Sequence, residues 1–86
     1  MNSFYGGKPG NSFKIVQNFE TIAAMKAAFQ QGANYTDVHY DEYVIINTNG
    51  TSDQDNGKVF RRGYDLHNEY GGGEYVGQIK FNLTPP

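Results

Sequence analysis

The chain predicts an α+β fold, a small and mainly antiparallel β-sheet of about four strands with one α-helix packed on a face. Three observations predict it. Phe13, Ile15, Gln17 and Phe19 alternate with Lys14, Val16 and Asn18, the period of two that marks a half-buried strand. Ile22, Met25 and Phe29 then recur at i, i+3 and i+7 through an alanine-rich run, the spacing of one helix face. Tyr43-Val44-Ile45-Ile46, Lys58-Val59-Phe60-Arg61-Arg62 and the stretch around Tyr75 to Phe81 follow as strand-forming segments parted by Gly-, Asn- and Asp-rich loops.

Residues 1–11 are rich in Gly, Asn and Ser and contain Pro9, so they read as an extended arm. Phe4 and Tyr5 stand out there as a potential anchor on this domain or on a neighbouring chain. A single domain spans 12–81, with a first strand near 12–18. The helix follows at Thr21, which can cap it, with Asn18 as an alternative cap. Gly32 supplies the left-handed residue that ends it. At about ten residues such a helix is marginal alone, so its apolar stripe needs a sheet to rest on.

Tyr35 to Tyr40 is β-prone and half-alternating, and predicts a strand. The uninterrupted run Tyr43 to Ile46 suits a central strand covered on both faces. The polar stretch 47–57 is a loop, and with Lys58 to Arg62 it makes an extended hairpin closed near Asn56-Gly57. After a second loop from Gly63 to Gly73 comes the last strand, in which Gly77 marks a bulge or a close backbone approach. Residues 82–86, ending Pro85-Pro86, read as an extended tail or the start of a linker.

Eighty-six residues bury only about two-thirds of the surface of the unfolded chain, which leaves a small stability margin and favours a partner. With 7 Tyr and 6 Phe, aromatic rings must supply much of the core and contact area. A net charge of −2 and scattered basic residues argue against nucleic acid or an anionic membrane. The absence of Cys removes disulfides, thiolate metal sites and cysteine nucleophiles, and fits assembly in a reducing cytoplasm. No segment reads as an export signal or a membrane span. The sequons at Asn34, Asn49 and Asn82 read as chance matches in a chain without such a signal.

Patterns that could carry chemistry are few. His39-x-Asp41 with His67 offers the two imidazoles and one carboxylate of a facial iron triad, but a domain this small has little room for the pocket such a site needs. Exposed polar residues are the preferred reading, and no metal or other cofactor is expected. Asp53-Gln54-Asp55-Asn56-Gly57 resembles a calcium loop only superficially, because the sixth and twelfth places hold Lys58 and Tyr64. Gly6-Gly7-Lys8-Pro9 puts proline where a phosphate loop needs Ser or Thr. Asp41-Glu42 point to opposite faces of a strand and cannot work as an acid–base pair. The expectation is a protein that is not an enzyme.

Arg61-Arg62 on a strand sends one guanidinium to each face, so the covered one should pair with a carboxylate such as Asp65, Glu69 or Glu74, within the domain or across a subunit boundary. Tyr64, Tyr70 and Tyr75 flank this pair. Because Tyr and Arg are enriched in interface hot spots, the candidate subunit contacts are Phe4, Tyr5, Arg62, Tyr64, Tyr70, Glu74 and Tyr75, centred on the triple glycine and Glu74-Tyr75.

Five segments taken together carry a likeness: Phe4-Tyr5-Gly6-Gly7-Lys8, Tyr35-Thr36-Asp37-Val38, Tyr43 to Thr48, Asn56-Gly57-Lys58-Val59-Phe60-Arg61-Arg62-Gly63-Tyr64-Asp65, and Gly71-Gly72-Gly73-Glu74-Tyr75-Val76-Gly77-Gln78-Ile79. Over nearly the whole chain this resembles the N-terminal module of tail and baseplate structural proteins in phages and prophages of Gram-positive bacteria. Such proteins often continue into a glycine- and proline-rich or fibrous segment, whereas Lys80 to Pro86 holds no such repeat. The resemblance implies a structural, assembly role in a virion tail put together in the bacterial host cytoplasm. It implies other phage structural proteins as partners and a homo-oligomer, while the charge and hydropathy already read as no nucleic acid and no membrane insertion. The alternative function is a carbohydrate- or cell-surface-binding module, suggested by tyrosines near Asn and Asp.

Overall fold

A computed structural model describes residues 3–5, 13–31, 36–50 and 52–80. The elements run β1 (Ser3–Tyr5), β2 (Ile15–Phe19), α1 (Ile22–Gln31), β3 (Tyr43–Ile46), β4 (Lys58–Arg62) and β5 (Gly73–Lys80). The strands form one sheet in the order β1-β5-β4-β3-β2. Only β2 and β3 are parallel, and α1 is the crossover between them, as parallel neighbours require. The remaining pairs are antiparallel, so the α+β architecture, with one helix against a mainly antiparallel sheet, is as the sequence predicts.

Strand β2 keeps its alternation, with Phe19 buried, Ile15 and Gln17 half-buried, and Val16 and Asn18 exposed. Thr21 caps α1, its Oγ1 accepting from the Ala24 amide at 3.0 Å, so the threonine and not Asn18 starts the helix. Met25 and Phe29 are fully buried and Ile22 packs beside them. They meet Phe19, Val38, Val44, Ile46 and Phe60 in one core between helix and sheet. The expected left-handed glycine at 32 lies outside the described residues.

Three expectations are corrected. Residues 36–39 form no strand, because their amides bond locally: the Val38 amide donates to Thr36 Oγ1 at 3.2 Å and the His39 amide to Glu42 Oε1 at 2.8 Å. Side chains that satisfy the backbone in this way compete with a ladder. A turn at Tyr40 and Asp41 follows, with Asp41 in the left-handed region at φ 71°. The second correction adds a fifth strand. Part of the arm joins the sheet, Phe4 opposite Ile79 and Tyr5 opposite Gln78, on the side of β5 away from β4; three residues are too few to show a period of two. Third, the loop before β5 ends earlier, since Gly73 already lies opposite Arg62 in the ladder.

The hairpin and the bulge stand where the sequence places them. The Gly57 amide donates to the Ile46 carbonyl at 2.7 Å, and buried Asn56 accepts the Thr48 amide at 3.0 Å. The β4–β5 register jumps from Val59–Gly77 to Phe60–Tyr75, leaving Val76 as the extra residue beside Gly77. That jump sets Tyr75 on the face of Phe60 and Glu74 on the face of Arg61.

The triple glycine is explained from inside the domain. Gly71, Gly72 and Gly73 are buried. A Cβ on Gly71 would sit 2.8 Å from the Lys26 carbonyl oxygen and one on Gly73 2.9 Å from the Met25 methyl. Gly71 and Gly72 also have φ values of 66° and 109°, which side chains disfavour. The turn is organised by Asn68, whose Oδ1 accepts the amides of Tyr70 and Gly72, each at 2.8 Å. The helix can therefore lie directly on the chain entering β5.

Candidate functional site

The C-terminal end of β4 and the starts of β3 and β5 meet at one end of the sheet, and the charged and aromatic side chains gather there. Strand alternation sends Arg61 and Arg62 to opposite faces. The backbone holds this end firmly: the Asp41 amide donates to the Arg62 carbonyl at 2.7 Å and the Arg62 amide to the Glu42 carbonyl at 2.8 Å.

Arg62 turns under the helix and is 3% exposed. No carboxylate meets it among the described residues. Its Nη1 donates to the Val38 carbonyl, and its Nη2 to the Phe29 carbonyl at 3.4 Å, while Nε has no partner. Phe29 belongs to the last turn of α1, where carbonyls lack partners within the helix and carry partial negative charge. No basic residue of α1 itself occupies that turn, so a cation from the sheet serves it. The guanidinium also lies 5.2 Å from the Phe29 ring centroid and 4.7 Å from that of Tyr40, within cation–π range. Among the described residues of the domain, the expectation that the covered arginine pairs with a carboxylate is thus reversed.

The carboxylates go to Arg61. Its Nη1 bonds Asp41 and its Nη2 bonds Glu74 Oε1 at 2.7 Å. The Glu74 hydrogen bond, ahead of the nearby charges, pushes the Arg61 pKa up. Asp41 also accepts the Tyr64 hydroxyl, a bond that is the main cause of the raised Tyr64 pKa. Tyr64 stacks on Tyr40 with centroids 4.9 Å apart and planes 18° from parallel. The planar groups Phe29, Arg62, Tyr40 and Tyr64 therefore touch in series, from the core to a ring that is 63% exposed.

The anticipated contacts divide. Tyr64, Glu74 and Tyr75 are exposed. Tyr75 meets Phe60 edge-on at 5.6 Å and lies under Lys58 at 6.0 Å. Tyr70 is half-buried, its ring 4.9 Å from Phe60, and desolvation is the first cause of its raised pKa. Arg62 is interior. Phe4 and Tyr5 are placed by backbone pairing with β5. Tyr40, Asp41 and Arg61 complete the cluster without having stood among the candidates. For Arg61 the available signal was its place directly beside Arg62; Asp41 and Tyr40 join through a turn that the strand expectation concealed.

Asp41, committed to Arg61 and Tyr64, does not gather with His39 and His67, both of them exposed. Among the described residues no group of three or more His, Cys, Asp or Glu could hold a metal ion. Asp55, in the loop with calcium-like spacing, pairs instead with Lys58 at 2.8 Å. No described helix is long and apolar enough to cross a membrane. Comparisons with protein-family models, with curated proteins and with solved structures return no match.

Proposed function

We propose that this domain is a non-enzymatic assembly module that fixes other polypeptides in place, and that its setting is the baseplate or fibre attachment of a phage or prophage tail. The observation that carries the reading is the exposed aromatic and ionic surface at the end of β4. Tyr64 and Tyr40 are 63% and 46% exposed, while hydrogen bonds hold Arg61, Asp41 and Glu74 beside them. Tyrosines held still by neighbours offer contact area with little ordering cost, as hot-spot residues do. The likeness to tail proteins supplies the setting, with other phage structural proteins and further copies of the chain as partners in the virion.

Native mass measurement tests the assembly. A multimer that shifts toward monomer in Tyr64→Ala and Tyr75→Ala supports the reading, provided circular dichroism shows both variants folded; unchanged mass in both counts against it. A second reading, carbohydrate binding, is favoured by the stacked Tyr40–Tyr64 pair beside Asp41, since sugars stack on open rings next to hydrogen-bonding groups. A strictly monomeric chain that binds on a glycan array would put that reading first.

A further inference from the structure

The platform at the end of β4 offers more acceptor sites than donors. Two of the five N–H groups of Arg61 are engaged, one by Asp41 and one by Glu74. The Tyr64 hydroxyl proton is given to Asp41. Each carboxylate is about half exposed, 55% for Asp41 and 47% for Glu74, and a carboxylate offers about four lone-pair sites, so acceptor capacity remains. Counting Glu42 and Asp65, the chain neighbours of Asp41 and Tyr64, this end of the sheet sets four carboxylates against the guanidiniums of Arg61 and Arg62, which leaves an unbalanced negative charge. A ligand that fits must therefore bring donors and positive charge, and one face of it should be flat enough to lie on Tyr64.

The molecule already shows this recognition within itself, where Arg62 lies against the rings of Phe29 and Tyr40. Resting on the assembly reading, we infer that the exposed Tyr64 ring, with Asp41 and Glu74 at its side, receives an arginine side chain from a partner polypeptide. The incoming guanidinium takes the next place in the series Phe29, Arg62, Tyr40, Tyr64, stacked on the ring and donating to the free lone pairs of Asp41. Arginine suits the site better than lysine because its planar fork stacks and donates at once. A neutral sugar would gain nothing from the charge.

The test titrates the 15N-labelled chain with acetyl-Arg-Gly-Arg-amide and with the same peptide carrying citrulline, which keeps the shape and loses the charge. The expected result is saturable shifts confined to residues 40–42, 61–64 and 74, weakened by added salt, with affinity about fivefold or more lower for citrulline. Tyr64→Leu should abolish the shifts. Asp41→Asn should weaken them while keeping a residue that tolerates the left-handed backbone. No shift at millimolar peptide, equal binding of the citrulline peptide, or shifts elsewhere would overturn the inference. If the peptide fails while Tyr64→Ala still lowers the assembled mass, the arginine inference alone falls; glycan binding at these same residues would remove the assembly reading with it.

Discussion

Two adjacent arginines on β4 occupy opposite environments. Arg61, in contact with solvent, is held by two carboxylates, and Arg62, buried beneath the helix, has none among the described residues. Intuition puts the ion pair inside, where attraction is strongest, yet desolvating a carboxylate as well as a guanidinium can cost more than their attraction returns. The interior uses acceptors that are already dehydrated, the Val38 carbonyl and a carbonyl of the last helical turn, together with two ring faces. Arg62 thereby fastens α1 to the sheet, and Arg61 arranges the surface around Tyr64.

The largest predicted effect falls on the buried member. Arg62→Met keeps volume but leaves two carbonyls without a donor, and should cost about 3 kcal/mol in urea unfolding, since each unsatisfied group costs about 1–3 kcal/mol. Arg62→Lys retains the charge without the fork and should fall between Met and wild type. A Met variant as stable as the parent would break the contrast.

Next comes the glycine turn under the helix. Gly71→Ala adds a left-handed side chain against a backbone carbonyl and should cost about 2 kcal/mol. Gly73→Ala meets the movable Met25 methyl first and Tyr70 Cβ at 3.3 Å, and should cost about 1 kcal/mol. The same denaturation curves decide the order. Loss of the helix cap in Thr21→Ala should also cost about 1 kcal/mol.

A smaller effect appears in alkali. Burial, ahead of the charge on Glu69, raises the Tyr70 phenol above the usual tyrosine value, about 10. The folded state then holds this proton more tightly than the unfolded chain. Its contribution is whole below about pH 10 and is lost as pH rises through the folded value. Lys58, raised by its hydrogen bond to Asp55, acts in the same direction. Tyr70→Phe should therefore flatten the fall in unfolding midpoint between about pH 8 and about pH 11; an unaltered slope would remove Tyr70 from the account. The smallest effect belongs to Arg61→Ala, which should leave the midpoint within the scatter of repeated measurements, because solvent-screened pairs contribute little to folding. It would sharpen the contrast by disordering Asp41 and Tyr64 without unfolding the domain, seen as chemical-shift changes confined to the end of β4.

Much of the architecture was legible because it rests on local periodicity. The Ile22, Met25, Phe29 stripe, the alternation from Phe13 to Phe19 and the apolar run at β3 each report a face in contact with the core. The strand expected over 35–40 failed because Thr36 and Glu42 use their oxygens on nearby amides, a competition that β-propensity does not register. The candidate site was legible in composition but not in partnership. Arg61, Arg62, Tyr64, Glu74 and Tyr75 could be picked out, yet Tyr40 and Asp41 enter only through the left-handed turn that brings them back over β4. The triple glycine, which reads as a contact between chains, has its steric explanation in the helix lying across it.

The order of residues alone determined that a helix and a set of strands would form, that Arg61 and Arg62 would part to opposite faces, and that a hairpin would close at Asn56-Gly57, since all of these follow from backbone periodicity and turn chemistry. Tertiary structure decided which arginine is buried, which acceptors it finds and that Asp41 lies beside Tyr64. Those outcomes depend on where the helix end and the 36–42 segment come to rest, and contacts between residues some 20 to 35 apart in the chain leave no periodic trace in the sequence.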